Sequence, residues 1–170
     1  MKTKALWAAI AFQFFILTGM YAQAHWPVLV GVEVSLKTVP VDPRSLFRGN
    51  YARMNYDISR LSDEDLDLSM PLRKGEVVYV LLQEAQSGIH EAASVSLESP
   101  DEGLFIRGRV RSHHSGQLHI RYGIEAYFAP KEKALALEKT LRHSAKAELM
   151  IAPSGKALLI DVVPRQDGPK

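Results

Sequence analysis

Residues 40–56 read PVDPRSLFRGNYARMNY and separate one alternating strand pattern from a second, shorter one. Pro40 and Pro43 each remove a backbone N–H donor and bias the preceding residue towards extended geometry, which argues against a helix here. The Gly-Asn pair at 49–50 can supply a positive-φ corner. The sequence therefore predicts a fixed loop that leads into a strand beginning at Tyr51.

The end of this stretch, GNYARMNY at 49–56, resembles the signature of the GDYXXLXY family, Gly-Asp-Tyr-x-x-Leu-x-Tyr. Asn50 stands in place of the aspartate and Met54 in place of the leucine. The preceding VDPR and the later YGIEAYF at 122–128 are also similar to that family. The resemblance covers residues 1–163 and implies a membrane-anchored bacterial protein from a family without an established biochemical activity.

The amino terminus carries a long apolar segment, residues 5–24, preceded by Lys2 and Lys4. As a helix this segment would span about 30 Å, the thickness of the hydrocarbon core of a bilayer. The two lysines favour a cytoplasmic amino end and export of the rest. The Ala-Gln-Ala at 22–24 resembles a signal peptidase site, so a cleaved signal peptide and a retained anchor are both open. Length and the family resemblance favour the anchor. In either case the body is expected on the extracytoplasmic, periplasmic side.

The sequence predicts that the 170 residues divide into a membrane or signal segment at 1–24, an exported β-rich domain at 25–163 and a disordered tail at 164–170. Without Lys2 and Lys4, 19 basic residues face 19 acidic ones, and this balance argues against a nucleic-acid partner. The chain has no cysteine, which excludes disulfides, thiol catalysis and cysteine metal sites.

Strand patterns dominate the exported part. Apolar residues alternate over 28–37, and the stretches 51–58, 76–84 and 92–97 are typical of further strands. The segment 61–74 is acidic and predicts a loop. The whole predicts a mainly β fold, an antiparallel sandwich or partly open barrel with one α-helix besides the N-terminal one.

Residues 104–128 predict a hairpin around a three-residue loop at 114–116. Its register makes two cross-strand pairs, Val110 with Ile120 and Ile106 with Ile124. The opposite face then gathers five basic or titratable side chains, Arg107, Arg109, Arg111, His119 and Arg121. The arginines could bind anionic lipid head groups, and the face as a whole could also meet an acidic partner or simply be solvated.

The last elements are a helix at 130–143 and a hairpin that turns at 153–156. The predicted cross-strand pairs of this hairpin are Ile151 with Leu158, Leu149 with Ile160 and Ala147 with Val162.

Glu125 lies inside an apolar strand pattern, where a carboxylate must reach solvent or find a partner. The hypothesis is that Glu125 meets Arg44 or Arg48, that Asp42 caps the loop backbone and that Tyr56 packs beneath. Such a network would either rigidify the loop or shape a recognition surface. The candidate binding residues are Asp42, Arg44, Arg48, Tyr51, Arg53, Tyr56 and Glu125.

No catalytic motif, metal ligand set or cofactor motif is recognisable, so no catalytic residue, metal or cofactor is predicted. The favoured function is a non-enzymatic, membrane-tethered binding or accessory domain, and the resemblance to the GDYXXLXY family implies that it acts with an integral membrane protein. One alternative is a hydrolase or peptidase-like enzyme using Ser45 or Asp42 with a lysine or Glu125. Another is a soluble periplasmic ligand carrier, which requires cleavage after Ala24 and an apolar cavity.

Overall fold

A computed structural model of the chain describes residues 2–39, 51–63, 72–128 and 145–164. Within these ranges a long helix, α1 (Lys2–Val30), precedes the strands. The strands are β1 (Val32–Val39), β2 (Tyr51–Arg53), β3 (Asn55–Tyr56), β4 (Arg60–Ser62), β5 (Val77–Glu84), β6 (His90–Ser96), β7 (Phe105–His114), β8 (Gln117–Arg121), β9 (Ala126–Phe128), β10 (Ala145–Ile151) and β11 (Ala157–Pro164). A short 3-10 helix, Asp57–Ser59, lies between β3 and β4.

Several predicted segments lie outside the described residues. They are the loop at 40–50, most of the acidic stretch at 64–71, the helix at 130–143 and the tail from residue 165 onwards. Pro164 itself ends β11.

Nine strands form one open, mixed sheet in the order β11-β10-β1-β6-β5-β7-β8-β4, with β3 paired to β1. Neighbours run antiparallel except β1 and β6, which meet in parallel where Leu36 faces His90. β2 and β9 form a separate two-stranded sheet. The predicted mainly β class is confirmed, and the continuous, unclosed sheet favours the open arrangement over a sandwich of two facing sheets.

The core is a single apolar cluster on the inward side of this sheet. In β5, which lies between β6 and β7, buried Val78, Val80 and Leu82 alternate with more exposed residues. Ile58 of the 3-10 helix is buried in the same cluster. Because this helix contacts both β1 and β8, which are far apart in the strand order, the sheet must curl around it.

Helix α1 is longer than the predicted membrane segment and includes residues 28–30, so the prediction that a strand begins at residue 28 is wrong. All three of these residues are apolar, so the stretch has no polar–apolar contrast that would favour a strand. The last hydrogen bond at the end of the helix is donated by the Gly31 N–H to the Pro27 carbonyl oxygen at 2.9 Å. A Cβ on Gly31 would lie 2.1 Å from that oxygen and 3.0 Å from the Ile151 carbonyl oxygen, which explains a glycine at this junction.

The predicted single strand at 51–58 is divided into β2, β3 and the 3-10 helix. The break falls at Met54, where the chain leaves β9 and begins to pair with β1. Met54 and Tyr56, on either side of Asn55, are each 1% exposed and belong to the core. The predicted loop at 61–74 begins too early, because β4 pairs with β8 through residues 60–62.

The β7–β8 hairpin turns through two residues, Ser115 and Gly116, with φ of 52° and 73°, and not through the predicted three. Val110 still faces Ile120 as predicted, because a bulge at Arg111 adds the missing residue. Pairing ends where Arg109 faces Arg121, since the chain then turns out of the sheet. The predicted pair of Ile106 with Ile124 is therefore wrong.

The β10–β11 hairpin forms as predicted, with a change of register close to its turn. Ala147 faces Val162 as predicted. A bulge at Ile160 shifts the pairs nearer the turn by one residue. The observed pairs there are Leu149 with Leu159, Met150 with Leu158 and Ile151 with Ala157, so the predictions for Leu149 and Ile151 are wrong.

Candidate functional site

Two segments that are distant in sequence are bonded together at one end of the sheet, and we call them the signature corner: residues 54–58 and 122–125. The Met54 N–H donates to the Glu125 carbonyl oxygen at 2.9 Å. The Tyr56 hydroxyl donates to the Ile124 carbonyl oxygen, and the Tyr122 hydroxyl donates to the Ile58 carbonyl oxygen, each at 2.6 Å. Each segment thus supplies one buried tyrosine that bonds to the backbone of the other.

The Glu125 carboxylate holds the turn between β8 and β9. Its two oxygens accept the backbone N–H groups of Tyr122 at 2.6 Å and of Gly123 at 2.9 Å. Gly123 has φ +86°, which a residue with a side chain adopts only with strain. The carboxylate therefore has a partner on its own segment, which the sequence analysis did not anticipate.

Tyr122 and Tyr56 are both buried, and this affects their ionisation. Burial, and to a lesser extent the nearby Glu125 carboxylate, raise the pKa of both phenols well above the usual value for tyrosine. The Tyr122 ring packs against Gly108 of β7, where a Cβ would lie 2.9 Å from the ring. Both phenols therefore remain neutral hydrogen-bond donors over the physiological pH range.

The predicted binding residues are only partly within the described structure. Tyr56 and Glu125 meet in the signature corner. Tyr51 and Arg53 lie on β2, opposite β9, and their side chains lie outside the described part of the structure. The remaining three predicted residues, Asp42, Arg44 and Arg48, also lie outside it, so the predicted contact of Glu125 with an arginine stays a prediction.

A second cluster lies on the exposed side of β7 and β8, and we call it the arginine face: Arg107, Arg109, Arg111 and Arg121. Arg109 and Arg121 are directly opposite each other. Arg111 shares a pocket of about 410 Å³ with these two residues and Lys74. Arg107 shares another, of about 290 Å³, with Arg109, Arg121 and Lys156. Hence the sheet brings the predicted arginines together.

The arginine face and the signature corner adjoin each other. A pocket of about 240 Å³ is lined by Arg111, Arg121 and half-buried His119 on one side and by Glu125 on the other. Arg60 of β4 also lines it, opposite His119 in the strand pairing. Three further basic residues of this surface, Arg60, Lys74 and Lys156, were not predicted from the sequence, because only contacts between distant parts of the chain bring them there.

Within the described ranges, no group of three or more His, Cys, Asp or Glu side chains is placed to hold a metal ion. His113 has a structural setting instead. Its Nε2 lies 2.8 Å from the Asp63 carboxylate, and its Nδ1 accepts the Leu72 N–H at 3.3 Å. This histidine therefore connects β7 to the ends of the two segments that flank residues 64–71.

The chain is similar to a known protein family. A family model described as GDYXXLXY protein covers residues 13–162, which includes the signature corner, the arginine face and most of α1. No curated protein and no solved structure matches the chain.

Proposed function

The chain belongs to the GDYXXLXY protein family, and from that premise we propose that it is a membrane-anchored extracytoplasmic binding domain that acts with an integral membrane protein. The observation that carries this proposal is α1. Its residues 3–26 are all exposed, and large apolar side chains such as Phe12, Phe14 and Met20 lie on three different sides of it. A helix that is apolar on every side needs an apolar environment, and lipid supplies one.

The length of α1 supports a membrane-spanning position. Its 29 residues extend about 43 Å, and the residues from Thr3 to Val30 are apolar enough to cross a bilayer. Trp7 and Trp26 are separated along the helix by about 28 Å, close to the thickness of the hydrocarbon core. Tryptophans at both boundaries are typical of membrane helices. Lys2 and Lys4 lie before Trp7, at the start of α1, which supports a cytoplasmic amino end and an exported body.

The end of α1 is attached to the domain, which supports a retained helix over a cleaved one. The helix continues without a break through residues 22–24, where the predicted cleavage site lies. The Lys156 Nζ donates to the Gln23 carbonyl oxygen at 3.2 Å, and Pro27 is buried. Cleavage after Ala24 would remove one partner of that hydrogen bond, so we propose an anchor that is continuous with the domain.

Gln13 supports an integral membrane partner. It lies six residues, about 9 Å along the helix, after Trp7 and so between the two tryptophans, and its amide has no hydrogen-bond partner among the described residues. An amide inside the hydrocarbon core is costly unless it bonds to another helix, and such interhelical bonds contribute about 1 kcal/mol. A neighbouring transmembrane helix with a complementary polar group would satisfy it.

The experiment compares Gln13→Leu with Gln23→Leu, the same change near the end of the span, in full-length protein extracted from native membranes with a mild detergent. We expect both variants to stay in the membrane fraction after an alkaline carbonate wash. Gln13→Leu should lose the integral membrane protein that co-purifies with the natural sequence, and Gln23→Leu should retain it. Release of the natural chain by carbonate, or recovery of no integral membrane protein with it, would overturn the proposal.

A further inference from the structure

The pocket between Arg107, Arg109, Arg121 and Lys156 is a basic site at the foot of the membrane helix. We propose that it binds the anionic head group of a membrane phospholipid in the leaflet from which α1 emerges. This inference rests on the proposed membrane anchor and adds a ligand to it. Three features of the described residues carry it: the position of Lys156, the unneutralised charges of the arginines and the chemistry of their side chains.

Lys156 relates the position of the pocket to the position of α1 in the membrane. Its Nζ is bonded to the Gln23 carbonyl oxygen of α1, three residues before Trp26. The adjacent residue, Gly155, has its carbonyl oxygen 2.8 Å from the Arg107 N–H, so the β10–β11 turn is fixed against the start of β7. If α1 spans the bilayer with Trp26 at the interface, the pocket therefore lies at the depth of the phospholipid head groups.

The charges in this pocket are not neutralised within the described chain. Arg109 and Arg121 are directly opposite each other on adjacent strands, an arrangement that is destabilising by itself. Neither they nor Arg107 or Lys156 form an ion pair with a carboxylate of the described residues.

A second basic pair on adjacent strands provides a comparison. Lys37 and Lys146 also face each other across two strands. Lys37 lies 3.5 Å from the Asp57 carboxylate, and Lys146 lies 3.2 Å from the Glu148 carboxylate. This pair is compensated by its own chain, whereas the pair in the pocket has cationic groups available for an external anion.

The side chains are of the types that bind phosphate. Guanidinium groups donate paired hydrogen bonds to phosphate oxygens, and the site provides three of them with one ammonium group. One of the three, Arg109, also donates from Nη1 to the Gly75 carbonyl oxygen at 3.0 Å. The pocket, of about 290 Å³, is large enough for one head group. Gly123, which also lines it, is exposed and has no side chain to cover the arginines.

The test uses full-length protein in a neutral detergent, with Arg121→Gln as the variant and Lys146→Gln as the control. Arg121 is chosen because it lines all three pockets of this surface, and no hydrogen bond of its side chain is seen within the described ranges. The probes are a short-chain phosphatidylglycerol, the corresponding phosphatidylcholine and inorganic phosphate, titrated by calorimetry. Thermal unfolding without ligand reports on folding.

We expect phosphatidylglycerol to bind at least about tenfold more tightly than phosphatidylcholine, and Arg121→Gln to weaken that binding by about fivefold or more, as one lost cation at a membrane surface does. Lys146→Gln should bind as the natural chain does. Arg121→Gln should unfold at the same temperature as the natural chain or higher, because a repulsive pair is removed.

Equal binding of the two lipids, or an unchanged affinity in Arg121→Gln, would overturn the inference. Inorganic phosphate binding as tightly as phosphatidylglycerol would also overturn it, since the site would then serve a free anion. Loss of a co-purifying protein in Arg121→Gln without any lipid affinity would assign the face to an acidic protein partner. None of these results depends on Gln13, so failure here is distinguishable from failure of the proposed anchor and its partner.

Discussion

Tyr56→Phe tests whether the last tyrosine of the signature stabilises the fold through its hydroxyl group. Tyr56 is 1% exposed and its hydroxyl donates to the Ile124 carbonyl oxygen at 2.6 Å. The substitution removes that donor and keeps the ring, so the packing of the core is unchanged and no cavity forms. What is lost is one hydrogen bond that joins the two segments of the signature corner.

The expected cost follows from the burial of both groups. A buried acceptor left without its donor destabilises the folded state by about 1–3 kcal/mol. For a domain of this size, that decrease in the free energy of unfolding lowers Tm by about 3–10 °C.

The assay is urea unfolding of the full-length protein in detergent, followed by pulse proteolysis, together with thermal melts. Tyr79→Phe is the matched control, because Tyr79 is half-buried, its ring contacts Phe105, and its hydroxyl has no hydrogen-bond partner among the described residues. The control should change the unfolding free energy by less than about 0.5 kcal/mol. If both substitutions cost the same, the hydroxyl of Tyr56 does not stabilise the corner, and the reasoning is refuted.

The same structure makes three further predictions. The folded state holds the phenol protons of Tyr56 and Tyr122 to higher pH than the unfolded chain does. Their contribution to the free energy of unfolding is therefore fully present below about pH 10 and falls above it, by up to about 1.4 kcal/mol per pH unit for each tyrosine. Urea titrations at about pH 9 and about pH 11 measure this slope, which Tyr56→Phe should halve; a flat profile would contradict it. Gly155→Ala should lower the free energy of unfolding by about 2–4 kcal/mol, since its φ is +74° and its Cβ would lie 2.7 Å from an aromatic ring of β7. Gly116→Ala, with φ +73° and no atom within 4 Å, should lower it by only about 1 kcal/mol. Equal losses in the two variants would show that the close contact of Gly155 with the ring does not contribute. Glu125→Gln keeps one acceptor for the two N–H groups of its turn and should lower the free energy of unfolding by about 1–2 kcal/mol in the same urea titration at neutral pH, and an unchanged free energy would contradict the role of the carboxylate in that turn.

Local patterns in the sequence were sufficient for the long helix and for most strands. The predicted pairing of Val110 with Ile120 is correct, but only because a bulge at Arg111 compensates for a turn that is one residue shorter than predicted. The same approach failed for Leu149 and Ile151, because a bulge at Ile160 changes the register near the turn without a clear mark in the sequence. Bulges respond to the twist and packing of the whole sheet, which a local pattern does not encode.

The candidate sites show the same division. Glu125 attracted attention because a carboxylate within an apolar strand needs a partner, but that partner is the backbone of its own turn, two and three residues before it. The arginines of one hairpin could be placed on one face from their spacing. Lys156 joins them only because the β10–β11 turn is bonded to β7, a contact between elements that are about fifty residues apart in the chain.

The most direct test of the membrane anchor is to measure on which side of the membrane each end of α1 lies. The natural sequence has no cysteine, so Thr3→Cys and Ser154→Cys each introduce a single label site, one at the amino end and one in the β10–β11 turn beside Lys156. Labelling with a membrane-impermeant maleimide is followed by measurement of the intact mass. We predict that Ser154→Cys reacts from the extracytoplasmic side of intact cells, that Thr3→Cys reacts only after the membrane is opened, and that both chains keep all 170 residues. A mature chain that begins after Ala24, or a Ser154→Cys site that is reached only from the cytoplasm, would contradict a retained anchor that holds this domain at the extracytoplasmic surface of the membrane.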